Sequence, residues 1–316
     1  MKPKKTASPH NAPDPTGIIS ASFGRHYEIC PDDPVITGGI ERLKCVPRGK
    51  KSVYACGDAV RFAPGGDGHQ GVITERLPRR NLLWRSDAFR QKLIAANLSQ
   101  VIIVVATEPG FSPLLISRCI TATESEGIGA MIVLNKADIT DQLPAARKLL
   151  EPFSQLGYRI VEISATGNAD TLRPHLAGQQ SIFVGQSGMG KSTLTNALIP
   201  EARAATAEIS AALDAGKHTT TFARLYTLPE DGWLIDSPGL QVFGLAHIAE
   251  ETLAQSFVEF RNHIGQCRFR DCRHLAEPGC ALRAAVASGD INPQRFEHFL
   301  QIRDEIQYAT RQARGY

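Results

Sequence analysis

The sequence has no long apolar run. Its most hydrophobic stretches, such as Val101–Ala106, are far too short to cross a bilayer. Lys2, Lys4 and Lys5 open the chain with no apolar segment behind them, which argues against a secretory signal. A strong charge of one sign is missing too, since 35 Lys and Arg against 32 Asp and Glu leave a net +3. What remains, 42% hydrophobic and 21% charged in 316 residues, is the composition of a soluble globular protein of two or three domains. The chain is therefore read as cytoplasmic, with no membrane partner; it is also expected to be a monomer.

Charge is uneven along the chain. The stretch from Arg261 to Tyr316 holds nine Arg against six Asp and Glu, and the first fifty residues are also rich in Lys and Arg. Such flanks are either solvated surface or contacts to a nucleic acid.

Residues 1–25, rich in Pro, Lys, Ser, Ala and Asn, are expected to be a disordered basic tail. Residues 26–85 contain short β-like segments divided by Gly and Pro: Ile40–Val46, Lys51–Cys56, Ala59–Phe62 and Gly71–Leu77. They predict a small barrel, with an OB-fold first, although strand spacing does not separate it from an SH3-like barrel. From Val101 the pattern changes to buried strands alternating with helices, which predicts an α/β domain over residues 86–245. Residues 246–316 are expected to be helical around Glu250–Phe260, Ala281–Ala287 and Pro293–Arg314.

Gly185-Gln186-Ser187-Gly188-Met189-Gly190-Lys191-Ser192 fits G-x-x-x-x-G-K-[ST] between an apolar strand and a helix. Its backbone N–H groups, with Thr193 and the helix dipole, suit a phosphate chain. Lys191 is assigned to the β- and γ-phosphates and the Ser192 hydroxyl to Mg²⁺. Asp236-Ser-Pro-Gly239 follows the strand Trp233–Ile235; Asp236 suits Mg²⁺ held through water, and the Gly239 amide suits the γ-phosphate. Asn135-Lys136-Ala-Asp138 ends another buried strand. The Asp138 carboxylate matches two donors of guanine that adenine does not offer, Lys136 lays its stem over the base, and Asn135 braces a neighbouring loop. Ser164-Ala165 would supply an N–H to the guanine oxygen.

These motifs occur in an unusual order, base-reading first and phosphate-binding second, as in a circularly permuted GTPase. The chain therefore leaves the site directly after Asp236–Gly239, which would wire the nucleotide state to the C-terminal tail. Gly216-Lys-His-Thr-Thr-Thr221 lies between phosphate loop and sheet, and Thr220 is the chosen second Mg²⁺ ligand, with Thr219 and Thr221 as rivals. Where a water-orienting Gln is common there is Leu240, which predicts slow intrinsic turnover. His218 is the candidate for the missing catalytic group; the alternative is a solvated loop histidine.

Of the seven cysteines, Cys30, Cys45, Cys56 and Cys119 are dispersed among apolar residues and read as small hydrophobes. Cys267-x4-Cys272-x-His274-x5-Cys280 instead offers three thiolates and an imidazole, the donors of one closed, structural Zn²⁺ site. A disulfide is the weaker alternative.

Taken together these residues resemble one family, RsgA (also called YjeQ or EngC), the bacterial small-ribosomal-subunit-dependent GTPase. The resemblance includes Gly57-Asp58-Ala-Val60, the Arg79–Asn97 connector, N-K-A-D, S-A-T-G, the phosphate loop, G-K-H-T-T-T, D-S-P-G and the Cys/His cluster. It departs at Met189, often Val in the family, and in the N-terminal tail. It implies an OB barrel, a permuted G domain and a zinc domain. It also implies contact with the small ribosomal subunit and its rRNA, GTP and GDP as ligands, and hydrolysis stimulated by the ribosome. Two other readings stay open: a GTP-gated RNA-binding placeholder whose hydrolysis is incidental, and a metabolic or transport phosphate-loop enzyme with an accessory zinc module.

Overall fold

The computed structural model describes residues 14–49, 53–65, 70–86, 91–202, 223–237 and 244–313. Strands β1 (Thr16–Phe23), β2 (His26–Pro31), β3 (Leu43–Pro47), β4 (Ala59–Pro64) and β5 (Gln70–Arg76) form the N-terminal body. Their order β1-β2-β3-β5-β4 closes through a β1–β4 pairing, and β3 runs parallel to β5, as in an OB-like barrel. Alternate residues point inward, so Ile19, Tyr27, Ile29, Leu43, Phe62 and Ile73 fill a core of their own.

Two expectations fail here. Strand β1 lies inside the segment expected to be a tail. Its Gly17, Ser20, Ala21 and Ser22 carry little hydrophobicity, but the strand pairs with both β2 and β4 and buries Ile19 and Ala21. Residues 1–13 lie outside the described part. Of Lys51–Cys56, the described residues 53–56 contribute only a bridge from Cys56 to Ala95.

A hairpin of β6 (Leu82–Ser86) and β7 (Gln91–Ala96) follows as a separate two-stranded sheet. The expected domain boundary between 85 and 86 falls inside β6, because the connector is itself a folded element. Arg79, just before it, grips the fully buried Asp58 of the barrel with two bonds of 2.6 Å.

The central domain contains β8 (Gln100–Ala106), α1 (Pro113–Ser125), β9 (Gly129–Asn135), α2 (Leu143–Gln155), β10 (Arg159–Glu162) and α3 (Arg173–Leu176). It continues with β11 (Gln180–Val184), α4 (Lys191–Leu198), β12 (Arg224–Thr227) and β13 (Trp233–Asp236). The order is β10-β9-β8-β11-β13-β12, parallel except for β12. Apolar β8, buried from Val101 to Ala106, is the sort of strand that a sheet covered on both faces requires. Strand β12 also pairs with barrel strand β1 at Ala21↔Arg224, joining both sheets into one of 11 strands.

Three helices end the chain: α5 (Glu250–Gln255), α6 (Ala281–Ser288) and α7 (Pro293–Ala313). The helix expected over Glu250–Phe260 breaks at Phe257, which is extended, with ψ of 100°. Tertiary packing overrides local propensity there, since Phe257 turns inward against Phe260 and Phe299, at 5.0 and 5.5 Å between ring centres. No helix among the described residues is long and apolar enough to cross a membrane.

Candidate active site and metal centre

The motif residues gather at the C-terminal ends of the parallel strands, where open α/β sheets bind ligands. β11 delivers the 185–192 loop, β9 delivers Asn135, the turn after β10 delivers Ser164 and Ala165, and β13 ends on Asp236. Asn135, 1% exposed, ties two of these together. Its amide donates to the Met189 carbonyl at 2.9 Å, and its side-chain oxygen accepts from the Ala165 N–H at 2.9 Å. One buried side chain thus sets the spacing between the 185–192 loop and the turns after β9 and β10.

Two glycines are dictated by this closeness. A Cβ on Gly185, whose φ is +149°, would sit 2.2 Å from the Val104 carbonyl oxygen. On Gly190, with φ +89°, it would meet the Asn135 amide at 2.2 Å. Neither the backbone angle nor the space tolerates a side chain.

The Lys191 ammonium donates to the carbonyls of Gly185 and Gln186 at 2.5 and 2.8 Å. Burial holds its pKa below the usual lysine range, and Asp236 pulls it back up. Burial likewise raises the Asp236 carboxyl, with Lys191 and the Ser237 N–H opposing. The two charges therefore support one another across the loop. Ser187, Gly188, Ser192, Thr193 and Asp138 are exposed around them. Ser192, a solvent-facing hydroxyl at the start of α4, and Asp236, a carboxylate at the end of β13, are donor types that suit Mg²⁺. His218, Thr220, with its rivals Thr219 and Thr221, Gly239 and Leu240 lie outside the described residues.

Sequence reading missed the loop after β8. Lys136 adopts φ of 58°, a left-handed conformation uncommon for lysine. The Thr107 hydroxyl donates to the Lys136 carbonyl at 2.8 Å, and Lys136 Nζ donates to the Glu108 carbonyl at 2.6 Å. The N-K-A-D turn is thus held from outside its own motif. The only signal in the sequence was position, at the end of a central strand.

Cys267, Cys272, His274 and Cys280 converge, with their ligand atoms within 4.8 Å of one another. His274 Nδ1 lies 3.6, 3.6 and 3.5 Å from the sulfurs of Cys267, Cys272 and Cys280. A tetrahedral Zn²⁺ with bonds of about 2.3 Å to sulfur and 2.0–2.1 Å to nitrogen demands about 3.6 Å between them. The cage fits that ion with all four positions taken by protein. The Ala281 N–H also points at the Cys267 sulfur, 3.3 Å away, as the surroundings of thiolate ligands usually do.

Residues 76–246 match the family model of the RsgA GTPase. Over 299 residues the chain is 50% identical to the "Small ribosomal subunit biogenesis GTPase RsgA" of Burkholderia pseudomallei (strain K96243), covering 93% of each protein. The chain belongs to the RsgA GTPase family. A relative of the same name from Paraburkholderia phymatum is 49% identical over 300 residues, with 93% of each covered. Among solved structures, YjeQ from Thermotoga maritima shares 30% identity and superposes with a TM-score of 0.72, over 93% of this chain and 98% of that one. YloQ, described as a circularly permuted GTPase, shares 26% at a TM-score of 0.70, over 96% and 98%. The RsgA-type permutation is visible in the fold: β9 and β10 precede β11 in the chain yet flank the same site.

Proposed function

We propose that this GTP hydrolase acts late in small ribosomal subunit maturation, contacting rRNA through its barrel and its zinc domain. The observation that carries the nucleotide reading is the Asn135 bridge, which joins a phosphate loop to an N-K-A-D turn in one site. The partner is drawn from the relatives, named as small-subunit biogenesis GTPases over almost their whole length.

In this reading Asp138 pairs with guanine, Lys136 covers the base, and Ala165 faces the guanine oxygen. Residues Gly185–Thr193 wrap the phosphates, with Lys191 neutralising charge that builds on them. Mg²⁺ would be held by Ser192, Asp236 and Thr220, supplying charge neutralisation at the phosphates. His218 would orient the water that Leu240 cannot, and Gly239 would sense the γ-phosphate. Zn²⁺ in the Cys/His cage would be structural. The protein is monomeric and cytoplasmic in this scheme.

Leu240 also favours a second reading, a GTP-gated RNA-binding placeholder in which hydrolysis is incidental. GTP turnover with and without purified small subunits, at several salt concentrations, separates the two. We expect a large stimulation that falls with salt; none under any condition would defeat the first reading. Asp138→Asn should cost about 100-fold in GDP affinity, from hydrogen bonds to a charged group, and shift preference to xanthosine nucleotides. An unchanged preference in a nucleotide competition assay would remove the guanine assignment.

A further inference from the structure

We propose that the zinc knuckle carries a stacking platform for an unpaired RNA base, made of Phe269 and framed by Arg268, Arg270 and Arg273. The proposal rests on the RNA-binding reading above and names the chemistry recognised. Phe269 is 43% exposed, whereas Phe257 and Phe260 of the same domain are fully buried. Its ring contributes little to the core, and its position is nevertheless fixed. Phe269 lies between two cage residues, Cys267 and Cys272; the Cys272 N–H donates to the Phe269 carbonyl at 3.3 Å, and the Arg268 N–H to the Gly279 carbonyl at 3.0 Å. The Arg268 guanidinium stands 5.5 Å from the ring centre.

Charge close to the ring is mostly positive. Between Arg261 and Tyr316 there are nine arginines and no lysine, and arginine both stacks on rings and forks onto phosphate. Elsewhere in the domain Arg261, Arg295 and Arg303 are spent on Glu124, Glu259 and Asp304. Arg268, Arg270 and Arg273 have no such carboxylate partner among the described residues. Glu277 is no counterweight, because its carboxylate is taken up by the N–H groups of Arg273, Leu275 and Ala276 at 3.0, 2.8 and 3.1 Å. Asp271 is then the one acid in residues 268–276.

An exposed ring beside guanidiniums without carboxylate partners matches a base face next to its phosphates. Base faces are reachable only when the base is unstacked, so the occupant is single-stranded RNA rather than a duplex. Phe269, Arg268, Arg270 and Arg273 line a groove of about 700 Å³, to which Asp271 and, on α5, Glu250 and Glu251 also contribute. With acids on α5 and arginines on the knuckle, the phosphates are expected on the knuckle side.

The test uses the zinc-loaded full chain and fluorescein-labelled RNA of about 12 nucleotides, single-stranded or duplex, read by anisotropy. Phe269→Ala should weaken single-strand binding about 10-fold, the usual loss of one base–aromatic stack, and leave duplex binding unchanged. Phe269→Trp should restore it, and Phe269→Leu, which keeps the bulk without a π face, should fail like alanine. Arg270→Ala should weaken both RNAs and lower the salt slope by about one. Wild-type affinity in both Phe269→Ala and Phe269→Leu overturns the platform. A wild-type chain that binds neither RNA overturns the RNA reading and the platform with it.

Discussion

The central domain meets its two neighbours through seams of opposite kinds. The barrel keeps a core of its own and pairs with the central sheet through one short register, β1 with β12, while its Cys56 reaches the central core and bridges to Ala95 of the hairpin. Partly exposed arginines accompany it: Glu28, itself 12% exposed, binds Arg42 at 2.8 Å and Arg224 at 3.6 Å. The C-terminal helices instead share one continuous core with the sheet. Their seam buries a charged network, in which Arg295 and Glu259, 1% and 5% exposed, pair at 2.8 Å. Arg295 also donates to Ser117 of α1 at 2.7 Å and lies over Phe257, 4.5 Å from its ring centre. Ser117 in turn meets His298 Nδ1 at 2.8 Å. A backbone seam between two complete cores permits the bodies to shift, whereas a buried ionic seam inside a common core permits little short of unfolding. A nucleotide signal leaving through the C-terminal part would then move it as a rigid body with α1, with the barrel as the freer partner.

The contrast can be broken in four ways, in descending size. Removing zinc by chelation, or Cys280→Ser, should cost the C-terminal part on the order of 10 kcal/mol and leave the barrel folded. Limited proteolysis with circular dichroism reads this; a C-terminal part that stays folded without metal would refute the cage. Arg295→Ala strands the buried Glu259 and should cost about 3–5 kcal/mol in urea unfolding, whereas Arg295→Met with Glu259→Leu should recover most of it. A loss below 1 kcal/mol would show the seam to be looser than drawn.

Third comes a pH dependence. Burial, with Arg295 and Arg118 nearby, lowers the His298 pKa to about 4. The unfolded state then takes up a proton near the ordinary value of about 6.5 that the folded state refuses. Stability should be full above pH 6.5 and fall towards pH 4, and His298→Asn should flatten that slope in urea midpoints measured across the range. Smallest is the barrel seam, where Glu28→Gln should cost at most about 1 kcal/mol. Faster amide exchange in β1 and β12, with the C-terminal helices unchanged, would mark that seam as the soft one.

Much of this could be read before any coordinates. The phosphate loop, N-K-A-D, D-S-P-G and the Cys/His spacing are local strings, since a bound phosphate, base or metal dictates residue type over a few positions. The α/β order was legible because continuous apolar runs such as Val101–Ala106 have few other uses. Strand β1 was not, since small residues announce nothing until three neighbours pair with them. Thr107 and Glu108 escaped because the first holds another segment's backbone and the second acts through its own carbonyl, which every residue has.

The sequence by itself determined which chemistry this chain carries, because ligand-contacting residues are constrained one by one and keep their spacing. Only the tertiary structure decided which parts are welded and which are hinged. That depends on residues far apart in the chain, such as Ser117 with Arg295 or Ala21 with Arg224, whose pairing no local pattern encodes.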